Sequence, residues 1–259
     1  MRRYLPFVII GAVLLVTAGG GFLLFHAKTS RTSIKVATGK PGAEPAHLRG
    51  GENARVTLEE FGDFQCPPCG IFATTLLKVE RDYGTRIRVI FRENPLAMHA
   101  HAFTAACAAE AAGLQGHFWE MHDLLFEHAL NWSKEDPRLP ARVMPSPGPN
   151  ASPDEAAAGV RTIFAGYASR LGLDVERFKK DMDGEQVIAR IKSDQARGAS
   201  IGVDRTPVLF IDGVLIPFSS FNVEALHTLI DAALAGKAPE PPPPPPPPSP
   251  TPAPSQEEK

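Results

Sequence analysis

Cys66-Pro67-Pro68-Cys69 lies between a strand-like and a helix-like segment, and that placement narrows the fold more than any other feature of the 259-residue chain. Before it, Arg55-Val56-Thr57-Leu58 alternates polar with apolar residues and the run then gains Phe61 and Phe64, as a strand entering a covered sheet does. After it, Phe72, Leu76, Val79 and Tyr83 recur at helical spacing until Gly84. Arg86 to Phe91 alternates again, with Ile87, Val89 and Phe91 on one side. Strand, helix and strand make a βαβ unit with a Cys-x-x-Cys at its first turn.

A cysteine that ends a strand and opens a helix sits beside unpaired N–H groups at the positive end of the helix dipole, and these stabilise a thiolate. The thiolate is the attacking and leaving form in thiol–disulfide exchange, so Cys66 is the candidate nucleophile. Cys69, one helical turn later, is placed to attack a mixed disulfide formed at Cys66. Pro67 and Pro68 fit first-turn positions whose N–H has no intrahelical partner, but each removes a donor that would steady the thiolate. Zinc uses the same cysteine spacing and needs four ligands. There is no second Cys-x-x-Cys in the chain, and His99, His101, His117 and His122 do not form an i, i+4 face, so no metal is expected.

Downstream, His99 to His128 is alanine-rich and helix-periodic, with Phe103, Cys107, Ala111, Leu114, Phe118 and Leu125 on one broad apolar face; Cys107 reads as a buried, inert thiol. A Pro-, Ser- and Asn-rich loop from Asn131 to Pro153 follows, and helical pattern resumes through Tyr167, Leu171, Phe178 and Ile188. Thr206-Pro207 then opens two apolar runs joined by Asp212-Gly213, a hairpin signature. Leu226, Leu229, Ile230, Ala233 and Leu234 mark a closing helix, with Asn222 as N-cap and Gly236 as its stop. The expected order is βαβ, a helical insertion, then ββα.

The two ends have different compositions. Leu5 to Phe25 is apolar and uncharged, long enough as a helix to span about 30 Å. Residues 1–28 therefore read as an uncleaved membrane anchor, with a cleaved signal as the alternative; Arg2 and Arg3 before the run and Lys28, Arg31 and Lys35 after it leave orientation open. Residues 29–53 are polar and glycine-rich, a linker, and the folded domain is expected over 54–236. Residues 237–259 include eight consecutive prolines, Pro241 to Pro248, which adopt extended polyproline II and cannot enter a core. With 27 Lys and Arg against 29 Asp and Glu, the chain lacks the basic field of a nucleic-acid binder. Three cysteines are too few for a disulfide-built scaffold.

From about Val56 to Ala235 the chain resembles the DsbA-like thiol:disulfide oxidoreductases, an α/β thioredoxin-like fold with a helical domain inserted after the second strand, here at about residues 97–200. Four ordered stretches carry the resemblance: Glu60 to Cys69, Gln115 to Phe126, Leu171 to Asp174, and Gly202 to Pro207. It implies Cys66 as nucleophile, Cys69 as resolving thiol, and Pro207 as a cis-proline against them, with Thr206, Pro67 and Pro68 contacting substrate. Glu60 matches a buried acid that assists proton transfer, and Glu59 competes for that role. Two positions depart from the family. Arg205 replaces a small residue and either lowers the Cys66 pKa, draws acidic substrates or is simply solvated, and Pro68 stands where the strongest oxidants have histidine.

The activity implied is extracytoplasmic disulfide exchange, as an oxidase of client proteins with cysteine thiols, tethered by a single membrane pass with its domain on the periplasmic side. A membrane redox partner would restore the pair, and no metal, flavin, nucleotide or nucleic acid is involved. A reductase or isomerase of the same fold, and a non-catalytic envelope binding or chaperone module, are the alternatives.

Overall fold

A computed structural model describes residues 39–133 and 153–239, the side chains of 153–157 excepted. The apolar run within residues 1–28, most of the loop after Asn131 and the consecutive prolines lie outside the described residues. Among the described residues, no helix is long and apolar enough to cross a membrane.

The βαβ unit forms as its periodicity predicts. Strand β2 (Val56–Gly62) leads to helix α1 (Pro67–Tyr83), and Gly84, at φ 56°, turns the chain into β3 (Ile87–Glu93), parallel to β2. Strand β4 (Val208–Ile211) lies antiparallel on the other side of β2 and pairs with β5 (Val214–Ile216). Their connection has Asp212 at φ 48° and Gly213 at φ 78°, the two positive values that a tight hairpin turn requires. Helix α8 (Val223–Leu234) closes the domain: Asn222 Oδ1 accepts from the Ala225 N–H at 3.0 Å, and Gly236 at φ 73° ends it.

Residues 39–53 are not a free linker. They contain the edge strand β1 (His47–Gly50), antiparallel to β3, so the sheet has the order β1-β3-β2-β4-β5. Arg49 fastens this strand: its guanidinium binds Glu80 of α1 at 2.6 Å and Asp123 at 2.8 Å, and lies 4.3 Å over the Trp119 ring. Four residues in a polar, glycine-rich setting carry too little periodicity to register as a strand, because the strand is held by side-chain ion pairs and backbone pairing.

The alanine-rich stretch is also not one helix. It divides into α2 (Ala102–Gly113), α3 (Phe118–Glu127) and the short α4 (Ala129–Trp132), with Gly116 at φ 82° breaking the first from the second. Helix α2 is buried on nearly every side, Ala105 to Ala109 and Ala111 to Ala112 included, so it has no single apolar stripe. Phe103, expected in that stripe, is 41% exposed at its first turn. Three further helices follow: α5 (Pro153–Arg170), α6 (Val175–Asp181), capped by Asp174, and α7 (Glu185–Ser200), whose buried side is Val187, Ile191 and Asp194 rather than Ile188.

One apolar cluster joins the sheet to α1 and α8 through Leu58, Val89, Leu76, Leu209 and Leu226. Another joins Phe64 and Phe91 to the helical insertion. Gly62 is needed where they meet, because a Cβ there would collide with the Phe91 ring. On the opposite face of β2 lies an ionic knot. Glu59 accepts from Arg92 at 2.9 Å and Arg197 at 2.6 Å, and Arg92 also binds Asp194 at 3.1 Å. Burial alone would push the Glu59 carboxyl up, yet the bonds from Arg197 and Arg92 win and hold it below the ordinary carboxylate range.

Candidate active site

The cysteine turn follows from local constraints. Cys66 occupies the N-cap of α1 in extended conformation, and Pro67 and Pro68 take the first two helical positions. The Cys66 carbonyl accepts from the Cys69 N–H at 3.0 Å and the Gly70 N–H at 3.2 Å, starting the helix. Cys66 is 7% exposed and Cys69 fully buried, and both are free thiols. The Thr206–Pro207 peptide is cis and brings the Thr206 carbonyl to 3.6 Å from Cys66 Sγ. Cys66, Cys69, Thr206 and Pro207, named from sequence, are thus brought together, with Pro67 and Pro68 exposed on the rim.

The two sulfurs differ in acidity. A hydrogen bond from the Cys69 side chain, joined by the Cys69 backbone N–H, outweighs desolvation and draws the Cys66 thiol down to about 6. The helix thus supplies its donor from Cys69, the first residue after the two prolines that has one. Burial, and then the neighbouring Cys66 sulfur, push Cys69 well up. A thiol of ordinary pKa is about 3% thiolate at neutral pH, whereas one near 6 is about 90% ionised. Iodoacetamide labelling of Cys66 in the reduced protein should accordingly rise with a midpoint near pH 6, read from the pH–rate profile. Because the folded value is depressed from 9.0, the thiolate stabilises the reduced protein fully above pH 9, and that contribution is lost as pH falls through about 6.

Glu60 and Glu59 point to opposite faces of β2, which separates their roles. Glu59 belongs to the ionic knot, whereas Glu60 is 1% exposed on the face that carries Leu58, and its Oε1 has no hydrogen-bond partner among the described residues. Burial, with Glu80 adding to it, pushes the Glu60 carboxyl up to about 8, so it is protonated at neutral pH and near enough to Cys69 to affect it. Arg205 lies at the surface, its side chain 72% exposed and 3.3 Å from the similarly exposed Asp204. Cys107 is buried and pushed up to about 12, as expected of an inert core thiol. Among the described residues, no group of three or more His, Cys, Asp or Glu could hold a metal ion.

Asp63, Gln65 and His99 also meet at the turn, and the sequence reading gave none of them a site role. Asp63 Oδ1 accepts from the Gln65 N–H at 2.7 Å, the geometry of a side chain folding its own turn. An aspartate three residues ahead of the first cysteine was the available signal.

A mixed sheet with this cysteine turn facing a cis-proline, interrupted by a helical domain, is the arrangement that the resemblance to the DsbA-like thiol:disulfide oxidoreductases implies. The chain belongs to the thioredoxin family, whose model, described as Thioredoxin, matches residues 43–232. Its fold is similar to that of BdbD from Bacillus subtilis (TM-score 0.58, 21% identity, 77% of this chain and 98% of that one). It is also similar to alpha-DsbA1 from Wolbachia pipientis (TM-score 0.56, 17% identity, 74% and 92%). Among curated relatives, a protein named Na(+)/H(+) antiporter NhaA 1 from Salinispora arenicola is 36% identical over 191 residues, 73% of this chain and 25% of the relative. One named NhaA from Herminiimonas arsenicoxydans is 30% identical over 224 residues, 83% and 31%. The chain therefore spans about a quarter to a third of these relatives' length.

Proposed function

We propose that this protein is an extracytoplasmic oxidase of protein thiols, held at the membrane by its N-terminal apolar segment. The observation that carries the direction is the unequal acidity of the pair, with Cys66 near 6 and Cys69 raised. Stabilising the thiolate favours the reduced pair, so the Cys66–Cys69 disulfide is a good electron acceptor. A client thiolate attacks Cys66 Sγ, the bond to Cys69 breaks, and Cys69 leaves with the electron pair. Glu60, protonated and buried, supplies the proton that Cys69 takes up. A second client thiolate then attacks the client sulfur and releases Cys66 as thiolate. The client loses two electrons and the cysteine pair gains them, to be passed on to a membrane redox partner that reoxidises the pair.

Pro207 and Thr206 would present backbone to the client strand, and Arg205 would favour an acidic side chain near the client cysteine. The rim suits an unfolded client: Pro67 and Pro68 are exposed, Ile71 is 73% and Met98 79% exposed, and Phe218, 61% exposed, reaches the site through Phe221, which stacks on Phe72 of α1. The apolar run Leu5–Phe25 supports membrane attachment, as do relatives named for exchanging ions across a membrane. Alkylation trapping of thiols in living cells tests the direction. A mostly oxidised Cys66–Cys69 pair is expected. A mostly reduced pair would replace this reading with a reductase or isomerase, and in either state a Cys66→Ser variant with full biological activity would leave only a binding or chaperone role.

A further inference from the structure

Asp63 is fully buried in its side chain and uses both carboxylate oxygens. Oδ1 accepts from the Gln65 N–H at 2.7 Å; Oδ2 accepts from the Leu96 N–H at 2.9 Å and lies 2.7 Å from His99 Nδ1. A carboxylate only accepts, so His99 is the donor in that pair. The backbone of the same residue serves the cysteines, its carbonyl accepting from the Cys66 N–H at 3.1 Å and its N–H donating to Cys69. Gln65 adds a second tie to the same loop, its Oε1 accepting from the His101 N–H at 2.6 Å. Two residues of the cysteine turn thereby hold the segment between β3 and α2. A neutral amide would meet most of this hydrogen bonding, whereas a carboxylate also places a negative charge within electrostatic reach of the sulfur that becomes negative.

Accepting Cys66 and Cys69 as the working pair, we propose that Asp63 is a positioning residue for their chemistry: it docks the segment before α2 onto the cysteine turn and sets a fixed charge that limits how strongly the pair withdraws electrons from a client. The repulsion acts on the Cys66 thiolate of the reduced pair and vanishes in the disulfide, so it disfavours reduction. The direction of the Asp63 effect on Cys66, upward, agrees with this geometry. His99 works against it by donating to the carboxylate and spreading its charge.

Two substitutions with opposite expected signs test this on the reduced and oxidised protein, using thiolate absorbance against pH and equilibration with glutathione. Asp63→Asn keeps an acceptor and removes the charge. The Cys66 midpoint should fall by about one unit and the glutathione equilibrium should shift three- to tenfold toward the reduced pair, tenfold being about 30 mV. His99→Leu removes a donor and leaves the charge. The midpoint should rise and the equilibrium should move toward the disulfide by a similar factor. Either folded variant, as judged by circular dichroism, matching the wild type in both readouts overturns the proposal, and the second variant decides alone if the first does not fold. A wild type that fails to exchange with glutathione at all removes the parent reading and this one with it. Normal exchange with unmoved variants removes only the role of Asp63.

Discussion

Cys69→Ser protein mixed with a disulfide-bearing client should accumulate as a covalent adduct through Cys66, while Cys66→Ser protein should form none and exchange at the uncatalysed rate. The reasoning rests on access and acidity together. Cys66 is the partly exposed sulfur and the one drawn down to about 6, so it makes the first bond; Cys69 is fully buried and raised, so it acts only from inside the complex. Resolution by a thiol already in place draws on an effective concentration far above that of any external thiol, and its loss should slow adduct release at least about a hundredfold. Non-reducing electrophoresis followed by peptide mapping reads both results. Adducts on Cys107, or release from Cys69→Ser at the wild-type rate, would contradict the division of labour between the two sulfurs.

Glu59→Ala should destabilise the protein by about 3 kcal/mol, because removing the shared acid leaves Arg197 without its carboxylate and Arg92 dependent mainly on Asp194 in a buried setting. The pH dependence has a definite sign. The folded carboxyl is held below its unfolded value, so the stability it contributes is present above the ordinary carboxylate pKa and is lost as pH falls through the lower folded one. The gap between wild type and variant, measured by urea unfolding, should be full at pH 7 and shrink in acid. An equal gap at every pH would mean that lost packing, not charge, is responsible. Thiol exchange per folded molecule should persist, since Glu59 faces away from Cys69.

The cysteine turn and the closing hairpin were legible because each is set by neighbours in sequence: a strand-to-helix junction, two prolines where a helix tolerates them, and Asp212-Gly213 where φ must be positive; the cis state of Pro207 came only with the family resemblance. The choice between Glu59 and Glu60 was not, since strand alternation puts them on opposite faces without saying which face holds Cys69. Strand β1 escaped because Arg49 meets Glu80 and Asp123 only in the folded chain. The division of the alanine-rich stretch depended on Gly116, and its helix α2 is covered on nearly every side, so a periodic stripe was the wrong thing to look for. Asp63 carried a turn signal, but its bonds to Leu96 and His99 come from a loop some thirty residues on.

The ionic knot bears on how the helical insertion can vary. Helix α7 is stapled at Asp194 to the Ala43 N–H at 2.7 Å, to the Glu93 N–H at 3.2 Å and to Arg92, and at Arg197 to Glu59 of the central strand β2. The chain leaving α7 reaches Thr206 within a few residues, so the peptide opposite Cys66 hangs from a stiff mount. In mechanical terms the insertion is a bracket fixed at its return end. Variation in the insertion is therefore least free at that return end, where it is tied to Glu59 and Arg92.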